Sequence, residues 1–183
     1  DKTSVTFSPT VTTTKPVDES QTVTYTADAQ KATVEYVDDD NGGSVVGTPT
    51  QISGVTDGTA DWNTNNLPSG YQLASGQAGS GTYTFTSDSS QVIKVHLVHE
   101  HTAGTVTTTD TVNYSGLPEA KAQASVSKSV SWTTDTDDVT GVTTYTPDDT
   151  DEITVTSPKV SGYTPDKTSV TFSPTVTTTK PVD

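Results

Sequence analysis

Ala122-Gln-Ala-Ser-Val-Ser-Lys-Ser-Val-Ser-Trp132 is the stretch that decides the fold class. Ala122, Ala124, Val126, Val130 and Trp132 share one parity, and Gln123, Ser125, Ser127, Ser129 and Ser131 take the other. A period of two sends successive side chains to opposite faces of a strand, one face for a core and one for water. Lys128 interrupts the apolar parity. Its flexible stem can carry the charge to a sheet edge and discourage edge-to-edge pairing, so it reads as structural rather than catalytic.

The same alternation recurs in shorter runs: Val5 and Phe7; Val23 and Tyr25; Ala32, Val34 and Tyr36; Tyr83 and Phe85; Ile153 and Val155. Turn residues separate them, at Asn41-Gly42-Gly43, Pro68-Ser69-Gly70, Gly79-Ser80-Gly81, Ser115-Gly116 and Pro147-Asp148-Asp149. A hydrophobic content of only 28% raises disorder or a glycosylated Ser/Thr stalk as a reading, and the sustained alternation argues against it. The pattern predicts a mainly β, antiparallel chain. Only Asp61–Leu67 and Pro118–Gln123 leave room for a short helix.

Residues 1–18, DKTSVTFSPTVTTTKPVD, recur letter for letter as residues 166–183. Identity over that length implies tandem units in a longer parent chain, with a period equal to the offset from Asp1 to Asp166. The composition shift after Gln91–His99 places a domain boundary near 101–105. The resulting division is a tail, 1–27, overlapping the preceding repeat's second domain; a first module, 28–101; and a second β module, 102–183. The repeat logic further predicts that the second module lacks its last strand, the equivalent of Gln21–Thr26. Neighbouring repeats, or isolated units by head-to-tail strand exchange, would supply it.

Charge and composition exclude several functions. Nine Lys and no Arg stand against 23 acidic residues, for a net charge of −14, so no basic stripe exists to displace counterions from nucleic acid or to hold an anionic membrane surface. Cysteine and methionine are both absent, which removes disulfides, thiolate chemistry and sulfur oxidation and suits an extracellular setting. No apolar run is long enough to span a bilayer and no signal peptide is present, so a secretion or anchoring signal is expected elsewhere in the parent. No nucleophile elbow, HExxH, phosphate loop or dinucleotide fingerprint occurs, which argues for a non-enzymatic protein.

Four sets of residues are candidates for chemistry. Asp38, Asp39, Asp40 and Asn41 offer hard oxygen ligands for calcium but lack EF-hand spacing, and equally suit a hairpin turn. Asp135, Asp137 and Asp138 with Asp148, Asp149, Asp151 and Glu152 form a second acidic group, either an ion site or a solvated loop face. His96, His99 and His101 lie within six residues, but His96 and His99 have opposite parity on a strand. A shared zinc ion would need a bulge, and a change of charge at the domain junction in mild acid is the stronger reading. Lys31 or Lys94 with a buried Asn offers an isopeptide crosslink.

Three segments of the first half carry a family resemblance: Ala32-Thr-Val-Glu-Tyr-Val-Asp-Asp39, Pro68-Ser-Gly-Tyr-Gln-Leu73 and Val92-Ile-Lys-Val-His-Leu-Val-His99. So do Thr107–Tyr114, Val130-Ser-Trp132 and Ser157-Pro-Lys-Val-Ser-Gly-Tyr-Thr-Pro-Asp-Lys167 in the second. In this order they resemble the two modules of mucus-binding (Mub-type, MucBP-like) repeats of Gram-positive cell-surface adhesins. The resemblance implies two small elongated antiparallel β domains in tandem, the first a β-grasp (ubiquitin-like) α+β module with a short helix. It also implies a cell-wall-anchored, extracellular parent that binds mucin glycoproteins by multivalent weak contacts. Immunoglobulins, bound along a β-grasp sheet edge, are the alternative partner by fold analogy, and a ligand-free spacer is the third reading. The residues that bind are not marked in the sequence.

Overall fold

The computed structural model describes residues 3–183. The strands are β1 (Ala29–Asp38), β2 (Ser44–Val55), β3 (Thr59–Asn63), β4 (Tyr71–Leu73), β5 (Ser80–Thr84), β6 (Val92–His99), β7 (His101–Val112), β8 (Val126–Asp137), β9 (Thr143–Pro147), β10 (Ile153–Thr156) and β11 (Ser169–Phe172), with one 3-10 turn at Glu119–Lys121. They form sheets of order β2-β1-β6-β4, β3-β5, β7-β8-β9 and β10-β11. The mainly β reading therefore holds.

The chain divides into two compact units. The first draws on residues up to Val34, Pro49–Asn63 and Ser80–Ile93; the second on Glu35–Thr48, Thr64–Gly79 and Lys94 onward. In the first unit Ala32, Val34 and Ile93 are buried around Phe85, which is 0% exposed and meets Tyr83 edge to face at 5.5 Å. Gln91, also buried, satisfies its whole amide: Oε1 accepts from Thr86 N–H (2.8 Å) and Tyr83 O–H (3.3 Å), while Nε2 donates to the carbonyls of Thr86 and Asp88 and to Gln30 Oε1. A buried amide with every group paired fixes the 86–90 loop, because leaving any one bond unmade costs more than the bond itself contributes.

Two expectations fail here for physical reasons. Asp61–Leu67 is not helical: Thr59–Asn63 forms β3, antiparallel to β5, because Ala60 and Trp62 alternate inward between exposed Thr59, Asp61 and Asn63. Nor is every pairing antiparallel. Thr33 N–H donates to Gln91 C=O (2.8 Å) and Asp39 N–H to Leu97 C=O (2.9 Å), an equal advance along both chains, so β1 and β6 run parallel.

The second unit buries Val37, Val95, Leu97, Val112, Val130, Trp132 and Val155. Its spine is the antiparallel β7–β8 pair, in register from His101↔Asp137 to Val112↔Val126. Val130 and Trp132 turn inward as the alternation predicts, and Trp132 Nε1–H donates to buried Thr108 Oγ1 at 3.0 Å. Lys128 is exposed opposite Asp110. Ala122 and Ala124 are exposed and precede the strand, since β7 offers no partner beyond Val112. Pro118 instead opens the 3-10 turn, close to the short helix expected at 118–123.

Residues 166–183 contribute β11, paired to β10 from Ile153↔Phe172 to Thr156↔Ser169, and a bridge in which Tyr145 and Thr177 exchange both backbone bonds (2.8 and 3.0 Å). Their identical N-terminal copy lies in no strand over its described residues, and neither do residues 19–26.

Candidate functional site

β6 sends Gln91, Ile93, Val95, Leu97 and His99 inward and Val92, Lys94 and His96 to solvent. The opposite facing of His96 and His99 follows the parity argument. Each histidine then meets its own carboxylate: His96 Nδ1 lies 2.7 Å from Asp39, and His101 Nδ1 3.1 Å from Asp135. No ion is shared among the three.

His99 is the buried member, 8% exposed, and both of its ring nitrogens face carboxylates. Nδ1 is 2.8 Å from Asp137 Oδ2 and Nε2 is 3.2 Å from Asp38 Oδ2. Two acceptor-only partners demand two N–H donors, so the geometry is that of an imidazolium. The hydrogen bond to Asp137 raises the His99 pKa above its usual 6.5, with Asp38 acting in the same sense, against an opposing effect of burial. Asp38 is only 2% exposed; burial pushes its pKa up, but bonds from His99 and from Tyr71 O–H (3.1 Å) outweigh that and leave it lowered. Asp137 is held far below the usual carboxylate range, first by Thr140 N–H and then by His99 and Val139 N–H against burial. Tyr71, edge-on to the imidazole at 5.3 Å, has its pKa raised by burial and by Asp38.

Asp38 and Asp137 are built alike. Each ends a strand, β1 or β8. Each uses Oδ1 to accept two backbone N–H groups of the following turn, from Asp40 and Asn41 at 3.0 and 3.1 Å or from Val139 and Thr140 at 2.9 and 3.0 Å. Each then gives Oδ2 to His99. Asp40 Oδ2 accepts the His99 backbone N–H at 2.8 Å. Main-chain bonds continue the junction: Glu100 N–H to Gly70 C=O (2.7 Å) and Asp138 N–H to Glu100 C=O (2.9 Å).

The calcium candidates are thus spread over several tasks. Asp38 and Asp40 converge on His99, with ligand-capable atoms within 4.8 Å of one another and already hydrogen-bonded; Asp39 turns to His96; Asn41 Nδ2 donates to Ser44 at 3.1 Å. The second acidic group splits. Asp135, Asp137 and Asp138 serve His101, His99 and Thr102, whereas Asp148, Asp149, Asp151 and Glu152 line a shallow hollow beside Ser129 and Ser131. Lys31 and Lys94 both face solvent, which overturns a buried crosslink at either position.

A separate cleft of about 690 Å³ opens in the second unit, between the 113–117 turn, the 157–167 loop and β11. Tyr114 and Tyr163 both line it. Tyr163 is 44% exposed and is oriented by Lys121, whose Nζ sits 4.9 Å from the ring centroid and donates to Ser161 C=O at 2.9 Å. The Tyr114 hydroxyl is buried and has no hydrogen-bond partner among the described residues.

Two small β modules clasped by a histidine between carboxylates, and carried on a sequence that repeats itself, define the chain as a modular repeat unit. Residues 30–99 match the mucin binding domain family and residues 99–182 the Muc B2-like domain family, meeting at His99. The chain belongs to the mucus-binding repeats. Two solved structures are similar in sequence: the type 2 repeat of the mucus binding protein MUB from Lactobacillus reuteri (22% identity, TM-score 0.35) and Mub-RV (26% identity, TM-score 0.36). Each alignment covers 80% of this chain and 91% of the other. No curated protein matches.

Proposed function

We propose that the chain is a non-enzymatic adhesion repeat of an extracellular bacterial surface protein, anchored to the cell wall through its parent, and that it binds mucus glycoproteins. The observation that carries this reading is the ordered pair of family matches, together spanning residues 30–182. Its modules are residues 28–101 and 102–183, with 1–27 belonging to the preceding repeat. The sheet order β2-β1-β6-β4 with its parallel central pair supports a β-grasp first module, in which the β3–β5 hairpin stands where a helix was expected.

A single unit binds weakly and an array gains by effective concentration. Retention of one, two and four linked copies on immobilised mucin tests this: the expected result is a steep rise in residence time with copy number. Equal residence for one and four copies would remove the multivalent mechanism, and no retention at any number would leave a spacer. Immobilised immunoglobulin in the same assay decides the alternative partner.

A further inference from the structure

We propose that the cleft between the 113–117 turn, the 157–167 loop and β11 is a saccharide subsite for one neutral sugar residue, a hexose or N-acetylhexosamine. It names the ligand class for the adhesion reading and rests on that reading for its biological sense, though not for its test.

Size comes first: about 690 Å³ lies within the range of roughly 300–1,000 Å³ usual for small-molecule sites. The lining chemistry comes second. Asn113, Gln123, Ser157 and Thr164 present amides and hydroxyls, which donate and accept like a sugar's own groups, while Tyr163 and Pro158 offer apolar surface for its C–H face. A peptide would demand a matched row of backbone partners and an apolar side-chain pocket, and the cleft's mixed lining supplies neither. Charge comes third. Asp166 lines the cleft of a chain with net charge −14, which disfavours an acidic sugar.

The independent pointer is Tyr114. A buried hydroxyl without a partner is costly, and few survive in folded proteins without a reason. This one belongs to a cleft-lining residue, so a ligand hydroxyl seated at the floor supplies the missing bond. Tyr163 is pre-oriented by Lys121, which lowers the entropy lost when a ring of the ligand stacks on it.

The test is a nitrogen-15 correlation titration of the full chain with methyl β-galactopyranoside, N-acetylgalactosamine and, as anionic comparator, glucuronate. The neutral sugars should shift the amides of Tyr114, Gly116, Ser157 and Tyr163, and glucuronate should not. Tyr114→Phe should weaken the neutral sugars about 2–10-fold, as expected for one hydrogen bond, and Tyr163→Ala should weaken them at least about fivefold. If Tyr163→Ala does not fold, Gln123→Ala takes its place, with loss of affinity expected again. Shifts elsewhere or none, equal binding of glucuronate, or unchanged affinity in the variants overturns the subsite.

Mucin retention of the same proteins separates the two claims. Wild type and variants retained alike would overturn the cleft and leave the adhesion reading standing. Sugar shifts at the cleft without mucin retention would do the reverse.

Discussion

Both ring nitrogens of His99 donate to carboxylates, and that requirement sets the molecule's response to pH. The folded pKa of His99 lies above its unfolded value near 6.5, so its contribution is fully present below that value and is lost as pH rises through the raised folded one. Asp38 and Asp137 have folded pKa values below 3.8, so their contribution is present above that value and is lost as pH falls through the depressed ones. The thermal midpoint should therefore peak between about pH 4 and 6.5 and decline on the alkaline side. His99→Gln should lower the midpoint throughout, because Asp38 stays buried without its cation, and should abolish the alkaline decline; a decline that persists in the variant would assign it to other groups. Two glycines are as exacting. A methyl at Gly54 would enter the Phe85 ring, and one at Gly70, whose φ is +82°, would meet Asp138 C=O at 2.9 Å. Gly54→Ala and Gly70→Ala should each cost about 1–3 kcal/mol in denaturant melts, through overpacking and backbone strain.

At the level of elements, the β7–β8 pair hangs on a buried indole with one polar partner. Thr108→Val keeps the shape but strands the Trp132 N–H, and should cost about 1–3 kcal/mol by chemical unfolding. The β1–β2 turn makes the opposite kind of claim. Asp38 Oδ1 already closes it through two backbone N–H groups, so calcium and chelator should leave the melting midpoint unchanged; a rise with calcium would convert the Asp38–Asn41 turn into an ion site. These elements also mark how far the sequence could be read. Strict alternation in Gln91–His99 and Val126–Trp132 was legible because one face of each packs on a core. Ala122 and Ala124 continue the same letters past the last β7 partner, and alternation alone cannot report where a partner ends. The polar stretch from Asp61 onward was ambiguous because only Ala60 and Trp62 mark its inner face.

For the whole molecule, the junction was half legible. Three histidines of differing parity pointed to residues 96–101, but nothing in a run of acidic residues distinguishes Asp38 or Asp137 from its neighbours. Only tertiary pairing brings those two strand ends to opposite sides of one imidazole. That pairing has a consequence for function, because the two matched family segments meet at a residue whose charge state holds carboxylates from both. The duplicated ends carry another. Ser169–Phe172 is a paired strand while Ser4–Phe7, the same four residues, is in none, so one molecule holds a peptide and its own undocked reference. Hydrogen–deuterium exchange at Val170 and Val5 shares sequence, pH, temperature and sample. The ratio of the two rates reads directly, without any second protein, the free energy that β10 confers on its partner.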